Sequence, residues 1–125
     1  MGNGKKIPDK APEEQINSVS NLFSILSHPL RIKILWLLKK KKSLNVNQIQ
    51  ADLKISQSNV SQHLSLLKAN KLVVEERKGK EVFYSLKESK KISKVLISAI
   101  HIIGYQLALN SELLSTYTEV LSFWA

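Results

Sequence analysis

At 125 residues, 43% hydrophobic and 23% charged, the chain has the make-up of one folded domain with tails, too short for two domains and too apolar for a disordered segment. Its formal charge of +9 is uneven: all nineteen Lys and Arg lie between Lys5 and Lys94, where eight carboxylates leave a net +11, and only Glu112 and Glu119 follow. The basic part suits a polyanion, nucleic acid ahead of an anionic membrane, while the absence of cysteine excludes disulfides, thiolate metal sites, thiol switching and cysteine nucleophiles.

Residues 1–12 hold Gly2, Gly4, Pro8 and Pro12 among charges and read as a flexible arm with no apolar core of a leader or anchor. From about Pro12 to Leu26 the positions Ile16, Val19, Leu22, Phe23 and Leu26 fall at helical spacing. Pro29 suits the first turn of a second helix, which carries Ile34, Leu35 and Leu38 and stops near a basic loop, Lys39 to Lys42. Val46, Ile49 and Leu53 mark a short third helix, capped by Ser43 or Asn45. Ser56 is the N-cap of a fourth, with Ile55 and Val60 as its hydrophobic staple. Its apolar stripe, Val60, Leu64 and Leu67, leaves Gln57, Ser58, Ser61, Gln62, Ser65 and Lys68 opposite, and it ends around Asn70. Leu72-Val73-Val74 and Val82-Phe83-Tyr84 then flank Arg77-Lys78-Gly79-Lys80, a β-hairpin with a basic tip. A fifth helix, about Glu88 to Asn110, is apolar on nearly every side between Val95 and Leu109, and must be buried all round. The simplest partner for it is a second copy of the chain. A last helical segment, Glu112 to Trp124, packs over it.

The order of these parts is informative: helix, short turn, helix with a short-polar face, then a hairpin tipped by Arg and Lys. This is a winged helix-turn-helix, mainly α with a small β-hairpin, about five to six helices and a helical dimer interface. The second helix of such a pair enters the major groove, where Gln and Asn can pair with adenine bidentately and Ser can bond base edges or phosphate. Between Ile55 and Leu67 there is no formal charge, unlike an ordinary solvated helix face, which mixes Glu and Lys. The hairpin tip can follow the backbone or enter the minor groove, although Glu75, Glu76 and Glu81 stand beside it.

Ser27-His28-Pro29-Leu30-Arg31-Ile32-Lys33-Ile34-Leu35, Ile55-Ser56-Gln57-Ser58-Asn59-Val60-Ser61-Gln62-His63-Leu64 and Val82-Phe83-Tyr84-Ser85-Leu86 resemble the ArsR-type winged-helix repressors over about residues 18 to 110. The resemblance implies a homodimer that represses transcription and is released when a signal weakens DNA binding. It carries groove contact to Ser56, Gln57, Ser58, Asn59, Ser61, Gln62 and His63, and wing contact to Arg77, Lys78 and Lys80. Residues 13–110 are then the DNA-binding and dimerisation domain, and 111–125 a helical segment at the dimer interface. Leu22, Val95, Ile100, Ile103 and Leu107 are the expected interface residues.

Departures from that family bear on the signal. Many members sense metals through Cys-Val-Cys on the third helix, and the matching triplet here is Asn45-Val46-Asn47, whose amides cannot replace thiolates. Another family site needs several ligands on the fifth helix, which offers only His101. No metal site and no cofactor is expected, and the signal, a small molecule or a protein effector, is unread. His28 reads as a cap or packing residue, His63 equally as a DNA contact or a structural hydrogen-bonder, and His101 as a core or interface histidine. Trp36, Trp124 and Tyr105 read as core or interface aromatics. No catalytic set can be assembled, so an enzyme is not expected. The expected function is a cytoplasmic, sequence-specific regulator of a pseudo-palindromic operator in double-stranded DNA, released by a non-thiol signal. An architectural DNA-binding protein or a protein-interaction module is the alternative.

Overall fold

Helix boundaries in the computed structural model fall where local chemistry stops the backbone. The structure describes residue 4 and residues 6–108 and 111–125, with side-chain surroundings for these apart from 104–108 and 111–117. Helix α1 runs Glu13–Leu26, with Glu13 and Glu14 complementing the helix dipole in its first turn. Helix α2, Pro29–Lys41, begins on His28, whose Nδ1 accepts from the Leu30 N–H at 3.2 Å. Lys39, Lys40 and Lys41 are not loop residues as expected but the last turn of α2. Lysine is a good helix former and its charge is favourable at a helix C-terminus, so the helix continues until Lys42, at φ 74°, turns the chain away.

Asn45 is the cap of α3, Val46–Leu53: its Oδ1 accepts from the Gln48 N–H at 2.8 Å, and Gln48 Oε1 accepts from the Asn45 N–H at 2.9 Å. This reciprocal box decides between Ser43 and Asn45. Residues Leu44–Asn45 also form β1, a strand too short to leave a periodic signal in the sequence. Ser56, the last of the three residues between α3 and α4, caps α4, Gln57–Ala69, accepting from the Asn59 N–H at 3.2 Å.

The hairpin strands are β2, Val73–Lys78, and β3, Glu81–Leu86, in a three-stranded antiparallel sheet of order β1-β3-β2. Arg77 pairs with Val82 and Lys78 with Glu81, so these two cations stand on the ladder and only Gly79-Lys80 make the turn. Gly79 takes φ +65°, a conformation that favours glycine at the first central position of a tight hairpin. Helices α5, Ser89–Ala108, and α6, Ser111–Trp124, complete the chain; the last two residues of the expected fifth helix lie outside the described residues.

Ile34, Leu35 and Leu38 of α2, Ile49 of α3, Val60, Leu64 and Leu67 of α4 and Val73 of β2 are fully buried together. Ile92 and Leu96 of α5 and Trp124 of α6 belong to the same buried cluster. The expectation that α5 is enclosed all round is not met within one chain: Ile102 is 82% and Ile103 50% exposed. On α1, Ile16, Val19 and Phe23 are open in the same way.

Candidate nucleic-acid interface

Helix α4 is held by its buried stripe, and this decides which side chains face outward. With Val60, Leu64 and Leu67 in the core, Gln57, Ser58, Asn59, Ser61, Gln62 and Ser65 are all exposed. Ser58, Gln62 and Ser65 follow one another at i, i+4 and i+7 and form the middle of that face. No carboxylate lies on α4. A phosphate backbone would therefore meet amide and hydroxyl groups there without like-charge repulsion, and the amide oxygen and nitrogen of a Gln side chain can match a base edge. Ser56 stands at the start of the face, where its hydroxyl serves as the helix cap and lies 3.4 Å from the Ser58 hydroxyl.

His63 is placed differently from the other expected contacts. It sits at the flank of the polar face, half-buried, with Nδ1 accepting from Arg31 Nε at 3.3 Å and its ring centroid 4.6 Å from that of His28. Burial, and then the neighbouring His28 and Arg31, hold its pKa below the ordinary imidazole value. Arg31 also donates from Nη1 to the Ile25 carbonyl at 3.0 Å, so one guanidinium ties the end of α1 to the middle of α4. No local pattern marks this contact, which joins residues 32 positions apart.

The wing is fastened to α4 at its base. Lys68 makes an ion pair with Glu75, which stands directly across the ladder from Tyr84. The Lys68 ammonium lowers the Glu75 pKa from the usual carboxylate value, and partial burial, then the Glu75 charge, raise that of Tyr84. Glu75 is thus engaged with the fold. Beyond it Arg77, Lys78 and Lys80 are exposed, with Lys78 Nζ 5.4 Å above the Phe83 ring.

The residues expected at a dimer interface fall in two places. Leu22 and Val95 are half-buried and share a small cavity with Leu26, Leu72 and Ile92. Ile100 and Ile103 line an apolar groove beside Trp36 and Trp124; the side chain of Leu107 lies outside the described residues. Trp36 meets Phe123 at 5.2 Å between centroids and carries Lys40 at 5.0 Å over its ring, while Trp124 is 3% exposed. His101 is exposed on α5 in this chain, and Tyr105 lies outside the described side chains. Among the described residues no three His, Cys, Asp or Glu side chains gather as metal ligands. Among them, too, no helix is long and apolar enough to cross a membrane.

Comparison with known proteins agrees with this geometry. Residues 28–74 match the family described as "Bacterial regulatory protein, arsR family". The transcriptional repressor PagR of Bacillus anthracis is 42% identical over 71 residues, covering 57% of this chain and 71% of PagR. The HTH-type transcriptional regulator KmtR of Mycobacterium tuberculosis is 31% identical over 93 residues, covering 74% of this chain and 70% of KmtR. The crystal structure of NolR from Sinorhizobium fredii superposes with a TM-score of 0.67 at 31% identity, over 78% of this chain and 98% of NolR. The order of the helices, the carboxylate-free α4 face beside a hairpin with a cationic tip and these similarities place the chain in the ArsR family, a winged helix-turn-helix DNA-binding regulator and not an enzyme.

Proposed function

We propose that the protein is a homodimeric transcriptional repressor that occupies a pseudo-palindromic operator by steric block, with α4 in the major groove and the wing on the flanking backbone. The observation that carries this is the outward face of α4, exposed, polar and free of carboxylates while its opposite stripe is fully buried. Ser56, Gln57, Ser58, Asn59, Ser61, Gln62 and His63 are the groove set, and Arg77, Lys78 and Lys80 the wing set. Homodimerisation is supported by the open apolar residues Ile16, Val19 and Phe23 on α1 and Ile102 and Ile103 on α5. Such exposure is unusual for a soluble surface unless another surface covers it. We assign Leu22, Val95, Ile100, Ile103 and Leu107 to that interface, with the segment 111–125 beside it and residues 1–12 as an arm outside it. A cytoplasmic setting and a non-thiol signal fit a cysteine-free regulator.

Selection from a random duplex pool, with a Gln57→Ala, Ser58→Ala, Gln62→Ala variant alongside, tests the reading. The expected result is a two-fold symmetric sequence with half-sites about one helical turn or a multiple apart, lost in the variant. Salt-sensitive binding without sequence preference would instead make the protein architectural.

A further inference from the structure

The Arg31–His63 contact joins the start of α2 to the middle of α4, and its chemistry restricts His63 more than packing would. A guanidinium only donates, so the nitrogen facing it must accept. Arg31 Nε lies 3.3 Å from His63 Nδ1, which leaves the ring proton of neutral His63 on Nε2. His28 beside it is fixed in the same sense, since its Nδ1 accepts from the Leu30 N–H. Among the described residues no hydrogen bond to His63 Nε2 is formed, and it is not one of the buried unpaired atoms, so it is not sealed from solvent. By helical spacing His63 stands on the flank of the polar face, beside Asn59 and Leu66, off the middle formed by Ser58, Gln62 and Ser65.

We propose that Arg31 is a positioning residue for DNA binding: by occupying Nδ1 it makes His63 an obligate Nε2–H donor, aimed at a backbone phosphate oxygen. This rests on the reading of α4 as the groove helix. The bonds are consistent with a fixed geometry at both ends, because Arg31 is itself held by the Ile25 carbonyl at 3.0 Å and the His63 ring by His28 at 4.6 Å. The contact is sequence-neutral, so it sets how deeply and at what angle α4 sits rather than which base it reads. His63 is then both of the things its sequence context left open, a structural acceptor on one nitrogen and a DNA donor on the other.

The test pairs a spectroscopic readout with binding to the duplex recovered by selection. Long-range nitrogen–proton NMR of the free protein at neutral pH is expected to show His63 protonated on Nε2 only, and Arg31→Met to yield a tautomer mixture. In binding, Arg31→Met is expected to weaken affinity about tenfold. His63→Asn, whose amide oxygen replaces the Nδ1 acceptor but offers no donor at the Nε2 position, is expected to lose a similar factor with little change in melting temperature. His63→Gln, which carries a donor near the Nε2 position without needing Arg31, is expected to make binding insensitive to Arg31→Met. A Nδ1-protonated tautomer, wild-type binding by His63→Asn, or an equal Arg31→Met loss with and without His63 would each overturn the proposal. Gln62→Ala separates the two levels: if it weakens binding and His63→Asn does not, only the positioning role of Arg31 is wrong, and if neither matters, the groove reading of α4 falls and takes that role with it.

Discussion

His63 shows how one residue links stability to pH in this fold. Its pKa lies below that of an unfolded histidine, first because of burial and then because His28 and Arg31 face it. The unfolded chain therefore binds more protons, and stability falls as pH drops from about 6.5 through the lowered native value, levelling off below it. Thermal melts at pH 7.5 and pH 5 are expected to differ by more in the wild type than in His63→Asn; an equal difference would show that other groups carry the effect. Asn45 offers a second residue-scale prediction. It caps α3 in a reciprocal box with Gln48, so Asn45→Ala is expected to cost about 1 kcal/mol in a urea titration. The cap is half legible in the sequence, which marks a polar residue before Val46 but does not separate Ser43 from Asn45, because both are good caps and only backbone geometry chooses. The Arg31–His63 bond is not legible at all, since it depends on how α2 crosses α4.

At the scale of elements, α4 is the most readable part of the chain. Its cap, staple and apolar stripe are all local, and the exposed face follows once the stripe is buried. The wing is readable as a hairpin but not in register. Nothing in the sequence says that Arg77 and Lys78 belong to the ladder, because charged residues pair on an exposed sheet edge as readily as they sit in a turn. Strand β1 is invisible there because its two residues derive their extended pairing from Phe83 and Tyr84, about forty residues away. The turn itself gives a clean test. A Cβ at Gly79 meets nothing within 4 Å, so Gly79→Ala strains only the φ +65° backbone and is expected to cost about 1 kcal/mol. The tip cations give another. Replacing Arg77, Lys78 and Lys80 with Ala is expected to flatten the dependence of log affinity on log salt by about one unit for each phosphate that the wing no longer neutralises, while leaving the selected sequence unchanged. An altered sequence preference would mean that the wing reads bases.

At the scale of the whole molecule, the cations and the open apolar residues of α5 separate along the chain, as the proposed contacts with DNA and with a second copy require. Every Lys and Arg precedes position 95, and Ile102 and Ile103, 82% and 50% exposed, follow it. Relative to full burial, exposure forgoes about 1.5–3 kcal/mol at Ile102 and about half that at Ile103, a cost that the proposed pairing of two chains would remove. The open residues of α1 belong to the same argument, since Phe23, Val19 and Ile16 are exposed on a helix that touches its own chain through Ile25 and Leu26. A two-fold operator needs two α4 helices held at a fixed separation, so a monomer with an intact α4 would bind only a half-site. Phe23→Glu and Ile103→Glu are accordingly expected to shift the protein from dimer to monomer in sedimentation or light scattering, keep its circular dichroism, and lower affinity for the full palindrome by at least about a hundredfold. A monomeric variant that still binds the palindrome as tightly as the wild type would show that the two half-sites are recognised independently; a dimeric one would move the interface off these two helices.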